Sequence, residues 1–437
     1  MSLMALLAVG CARHPEGMKS PAPTPIPSPT PAPTAPETIA FPDKNLEAAI
    51  RNALGKPAVE AITPAELAGL IELTATMQSI TDLSGIEHCA KLTHLCLSYN
   101  QISDLSPLAS LTNLTLLDLH SNQVNDLSPL CSLSNLTDLY LSYNQISDIS
   151  LLESLTNLTV LDLASNQIND LSPLESLTNL TVLDLASNQI SDLSHLTYLT
   201  DLKELRLHGN QIRDLSPLAS LINLEDLGLG GNQIRDISPL ASLTKLKFLY
   251  LSANQVRDIS PLASLSNLFE LHLSTNWIGD ISPLAPLANL ALLDLYSNGI
   301  SDISPLGSLT SLTVLDLASN QISNLSPLAS LIKLDDLRLG GNQISDISPL
   351  ALLTKLRLLY LSANQIRDIS SLASLTNIAQ LNLDRNQISD LSPLLENSGL
   401  GKEDQLDLYG NNLDLSEGSE GLENIRQLER RGVVVNY

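Results

Sequence analysis

Aromatic residues are nearly missing from this chain: one Trp, three Phe and nine Tyr supply 3% of its 437 residues. Aliphatic side chains must therefore build whatever core exists. Lys and Arg are also short, 23 against 47 Asp plus Glu, for a formal charge of −24, and no basic cluster interrupts the repeats. Phosphate neutralisation needs concentrated Lys and Arg, so nucleic acid is excluded as a partner. The surplus carboxylates keep a long apolar chain soluble and suit basic partners or adventitious divalent cations. Of the four cysteines, an odd three follow Cys11, and they fall in different slots of the repeat described below. Disulfides are not expected to hold such a chain together. No nucleophile elbow, phosphate loop or HExxH occurs, and the histidines are scattered. Neither an enzyme nor a cofactor is expected.

What the chain has is periodicity. An asparagine recurs every 22 residues at Asn100, Asn122, Asn144, Asn166, Asn188, Asn210, Asn232, Asn254, Asn276, Asn298, Asn320, Asn342, Asn364 and Asn386, each inside L-x-x-L-x-L-x-x-N-x-[IV]. That period, with leucines in those slots, is the signature of a leucine-rich repeat solenoid. The expected fold is an α/β solenoid: a curved right-handed array with a parallel β-sheet on its concave face and short 3₁₀ turns on its convex face. One repeat cannot bury its leucines alone, so a helical N-terminal cap and a C-terminal cap are required. The asparagine follows the strand, where backbone groups lose their sheet partners, and its amide can both donate and accept. These asparagines are expected to form a structural ladder. From Asp104 to Asp390 thirteen aspartates, Asp258 among them, precede [LI]-S and are expected to cap the convex turn.

Side chains alternate along a strand, so in x-L-x-L-x the leucines point inward and the x positions face the concave solvent side. Specificity must lie there. Tyr140, Phe248, Tyr250, Tyr296 and Tyr360 fall on or beside this face, and Trp277 replaces the usual Gln on its rim. Tyr and Trp are common anchors of protein interfaces, so these residues are the expected contacts, with Arg206 and Arg338 as charge partners. His94, Cys96, Asp118 and His120 lie on two adjacent strands and have donors that suit zinc. Their spacing matches no metal motif, and the weightier reading is variable face residues with no metal.

The ends depart from the repeat. Residues 1–20 begin with an uncharged apolar run, Met1 to Gly10, too short to span a bilayer and followed by Cys11. Residues 21–38 are rich in Pro and Thr and favour polyproline II. Residues 39–70 read as capping helices, with Asp43 and Thr63 as N-caps and Gly55 as a stop. About 15 repeats fill 71–412, the first degenerate with Gln78 in the asparagine slot, and 413–437 read as a closing helix and a last strand. Leu229–Leu262 matches Leu339–Leu372 at 28 of 34 positions, an offset of five repeats.

Units such as Leu158–Pro173, LTVLDLASNQINDLSP, and Leu312–Pro327, LTVLDLASNQISNLSP, resemble the internalin-like class of bacterial leucine-rich repeats. The resemblance covers roughly Phe41 to the C-terminus and implies a surface protein that recognises another macromolecule. Ala8-Val9-Gly10-Cys11 resembles a bacterial lipobox, which implies a signal peptide, acylation of Cys11 and a membrane held through that lipid. No Lys or Arg precedes the apolar run, a departure from the usual signal. The resulting expectation is an exported envelope lipoprotein whose concave face binds a protein. Its rivals are a passive envelope element without a dedicated ligand and, further off, a metal-dependent enzyme.

Overall fold

The computed structural model describes residues 38–437; the apolar opening with Cys11 and most of the proline-rich segment lie outside the described residues. A single sheet of 17 strands runs through them. Each strand is three residues long and pairs in parallel with the next in sequence, at constant register: Leu95 opposite Leu117, Leu227 opposite Leu249, Leu406 opposite Val435. The central leucine of each of the first sixteen strands is buried, and the residues beside it are wholly or partly exposed in all but a few strands. Strand alternation is therefore realised repeat after repeat, with leucine and isoleucine forming one continuous core.

Beyond each strand the chain must reverse. The residue before each ladder asparagine takes a left-handed conformation, as in Tyr99 (φ 56°), Ser121 (φ 53°) and Ala253 (φ 56°), with glycine there at Gly209, Gly231 and Gly341. That bend turns the asparagine inward. Asn254 donates to the carbonyls of Leu229 (3.0 Å) and Leu251 (3.1 Å) and accepts from the Ile234 amide (3.0 Å), and the same three contacts recur from Asn100 to Asn386. Each side chain thus satisfies groups of its own turn and of the preceding repeat. A second row does similar work on the opposite flank. Asn113, Asn135, Asn157 and Asn179 each donate to a carbonyl 23 residues earlier, at 2.8 to 2.9 Å.

The convex returns are 3₁₀ turns such as Ser106–Leu108 and Ser260–Ser264, with proline in the first turn. The aspartate two places before the serine accepts from the serine backbone amide, Asp104 from Ser106 at 2.9 Å and Asp258 from Ser260 at 2.8 Å. Hydrogen bonds from that serine hold both carboxyls below the usual range. Asn324, the one departure from aspartate, accepts from Ser326 in the same way.

At the N-terminal end, helix α1 (Lys44–Leu54) buries Leu46, Ala49 and Ile50 and ends at left-handed Gly55. Asp43 caps it with one oxygen, accepting from Asn45 and Leu46, while its other oxygen accepts from the Thr81 amide at 2.7 Å. One carboxylate so fastens the helix to the first repeat. Helix α2 (Pro64–Leu67) starts on a complete capping box of Thr63 and Glu66. Gln78 does not substitute for asparagine: its side chain donates to Thr76, two residues away, instead of reaching inward. At the other end, α3 (Ser392–Glu396) replaces the last 3₁₀ turn, and α4 (Glu420–Arg430) leads into the final strand, Val434–Asn436. Among the described residues no helix is long and apolar enough to cross a membrane. Cys89, Cys96 and Cys131 are all free; burial pushes the Cys89 thiol up to about 12.

Candidate recognition face

The outward strand positions form three columns, and their chemistry changes along the array. In the central column Cys96, Asp118, Tyr140, Asp162, Asp184 and Arg206 follow one another in register. The next members are Gly228, Tyr250, His272 and Asp294, then Asp316, Arg338, Tyr360 and Asn382. Burial raises Asp184, Asp226 and Asp316 above the ordinary carboxylate range.

Both arginines are occupied within the chain. Arg206 lies 3.2 Å from Glu204, 3.9 Å from Asp184 and 4.0 Å from Asp226. Arg338 lies 2.8 Å from Asp336 and 3.8 Å from Asp316, with its guanidinium 5.6 Å from the Tyr360 ring. As charges offered to a ligand they are already compensated, which the sequence reading did not foresee.

Tyr250 stacks on His272 at 4.8 Å and meets His208 edge-on at 6.0 Å. His208, overlooked in the sequence, leans over the strand: a Cβ at Gly228 would fall 2.1 Å from its Nε2, so glycine is what admits the imidazole. Its Nδ1 accepts from the Gly230 amide at 3.1 Å, and burial together with Arg206 lowers its pKa. A neutral ring with the proton on Nε2 follows. The signal was available, since His208 occupies the same repeat position as His120.

The remaining expected anchors lie off the central column. Phe248 begins its strand and meets Phe269 edge-to-face at 6.3 Å, beside an open trough of about 670 Å³ that also includes Lys247, Ala291 and Lys333. Tyr296 is exposed beyond its strand, and Trp277 is half exposed on the rim with the Arg257 guanidinium 5.0 Å from its ring. Tyr360 donates to Gln380 at 2.6 Å.

The zinc grouping is not assembled. Among the described residues no three of His, Cys, Asp and Glu converge on a metal position. Cys96 and Asp118 are neighbours, but His94 and His120 sit in outer columns on opposite sides of them, four residues apart along the strand direction, or about 13 Å. His94 bonds Thr93 and His120 bonds Ser142 instead.

With this geometry in view, the comparisons are consistent with one another. The family profile for leucine-rich repeats in two copies matches successive segments from 90–132 to 354–396. An internalin of Listeria monocytogenes is 39% identical over 77% of this chain and 94% of its own, with a TM-score of 0.66. A Leptospira interrogans leucine-rich repeat protein is 27% identical over 91% of this chain and 100% of its own, with a TM-score of 0.78. The functional domain of InlJ from Listeria monocytogenes is 26% identical over 84% of this chain and 80% of its own, with a TM-score of 0.68. Curated proteins give no match. The fold, the repeat and these likenesses agree that the chain is an internalin-like member of the leucine-rich repeat family.

Proposed function

We propose that this chain is a non-enzymatic recognition module of the cell envelope that binds a protein partner on its concave face. Leucine-rich repeat proteins of the internalin type are protein-binding modules, and the reading follows them to that extent. The observation that carries it is where the scarce aromatics go: Tyr140, Tyr250 and Tyr360 take outward positions of the sheet, which packing does not require to be aromatic. Tyr250→Ala with Tyr360→Ala is expected to abolish capture of the partner in a cross-linking pull-down from envelope extracts while moving the thermal midpoint by only a few degrees, about what surface changes cost. Equal capture by both proteins would favour a passive envelope element. An equal loss of stability would make the tyrosines structural.

Localisation is part of the same proposal. Cys11 would carry the lipid and residues 21–38 would hold the repeats away from the membrane, a span of roughly 55 Å if extended as polyproline II. Radiolabelled palmitate should enter the wild-type protein in cells and not the Cys11→Ser variant; label in both would remove the anchor from the proposal.

A further inference from the structure

Between Lys91 and Lys203 the chain contains no Lys or Arg and twelve carboxylates. Within that stretch the concave face holds a cavity of about 300 Å³ lined by Cys96, Leu116, Asp118, His120, Tyr140 and Asp162. Two exposed tyrosines flank it: Tyr99 and Tyr143 meet the two sides of His120 edge-on, at 4.8 and 5.2 Å. The imidazole is held in place. Ser142 donates its hydroxyl proton to Asp162, so its oxygen accepts from His120 Nδ1–H at 2.7 Å. Asp118 uses one carboxylate oxygen to accept from the His120 amide at 3.0 Å. Its second oxygen and the Tyr140 hydroxyl have no hydrogen-bond partner among the described residues. Burial, and then Asp138, Asp118 and Asp162, raise the Tyr140 phenol, so those carboxylates bear directly on its ring.

The same sheet shows what such surroundings accommodate. Arg338 has Asp316 on one side, Asp336 beside it and the Tyr360 ring on the other, and Arg206 lies among Asp184, Glu204 and Asp226. The N-terminal repeats reproduce the carboxylates and the tyrosine without a cation of their own. We propose that the face around Tyr140 receives an arginine side chain from a basic segment of the partner protein, with the guanidinium over the phenol between Asp118 and Asp162. This rests on the reading of the concave face as the binding surface and adds the partner's chemistry: a guanidinium satisfies the free carboxylate oxygen and gains from the aromatic faces.

The test uses the full chain and a fluorescein-labelled peptide carrying three arginines separated by Gly-Ser, read by anisotropy. Asp118→Asn with Tyr140→Ala should bind it about tenfold more weakly, while Asp126→Asn, which removes one charge from the convex side, should bind within about twofold of wild type. Asn324 already fills the Asp126 role in another repeat, so that control is expected to fold. Replacing arginine by citrulline in the peptide should abolish binding. The peptide should also slow alkylation of half-buried Cys96 and leave exposed Cys131 unaffected, a reading that needs no variant. Equal weakening by both variants would mean attraction to bulk charge, and unprotected Cys96 would place the peptide elsewhere; either overturns the inference. Partner capture that persists when the peptide fails would leave the broader reading standing.

Discussion

Asn254→Ala is expected to lower the unfolding free energy by about 3 to 4 kcal/mol, because one truncation strands several buried groups. The Leu229 and Leu251 carbonyls lose their donor and the Ile234 amide loses its acceptor, all beside buried leucines where Asn254 itself is only 6% exposed. A neutral hydrogen bond contributes about 1 kcal/mol net, but a buried group left unpaired costs about 1 to 3. Denaturant unfolding followed by circular dichroism measures the loss. Asn298→Ala is the internal comparison: it makes equivalent bonds at 3.0 to 3.2 Å but is more exposed, so water can replace part of them. Its cost should be about half. Equal losses at the two positions would mean that the amide acts through turn geometry and not through satisfying buried groups.

Gly399→Ala should be comparably damaging for a steric reason. A Cβ there would lie 1.9 Å from the Thr376 carbonyl oxygen and 2.4 Å from its carbon, both backbone atoms of the preceding repeat that cannot rotate away. The segment is pinned on both sides, since Asn397 accepts from the Gly399 amide at 2.9 Å and donates to the carbonyls of Leu372 and Leu375. About 3 kcal/mol or more of strain is expected, concentrated where α4 and the last strand attach. Limited proteolysis under native conditions should then cut after residue 397 while the earlier repeats stay intact. Gly401→Ala, whose nearest contacts are at 3.9 Å, should leave the digestion pattern of the wild type. Cleavage in both variants would show the C-terminal segment to be loosely held already.

The scaffold was legible because each of its positions is under the same constraint many times over. Leucine spacing, the asparagine, and the proline that opens most convex turns repeat in the sequence, and their structural roles repeat with them. The row beginning at Asn113 bonds backbone, and nothing in one repeat reveals a partner 23 residues earlier until repeats are stacked. The face was harder to read for the opposite reason. Outward positions are not fixed by packing, so their meaning depends on which side chains adjacent repeats bring together. Arg206 and Arg338 were expected to offer charge to a ligand, but stacking sets a carboxylate on each side of Arg206 and a carboxylate and a tyrosine ring on either side of Arg338. His208 and Gly228 are 20 residues apart and look unrelated, yet the imidazole occupies the space the glycine leaves. The contact of Trp277 with Arg257 comes only with the stacking of consecutive repeats.

The constant parallel register has a mechanical meaning as well. Every strand is bonded only to the one before and the one after, so tension applied between the two termini reaches the hydrogen bonds of the end strands first and opens them in succession, as a zipper opens. Interior repeats stay closed until their neighbour has left. Each departing repeat would release 22 residues, roughly 75 Å of extended chain. Held at one end and loaded at the other, the molecule would lengthen in steps and blunt a sudden pull instead of transmitting it whole.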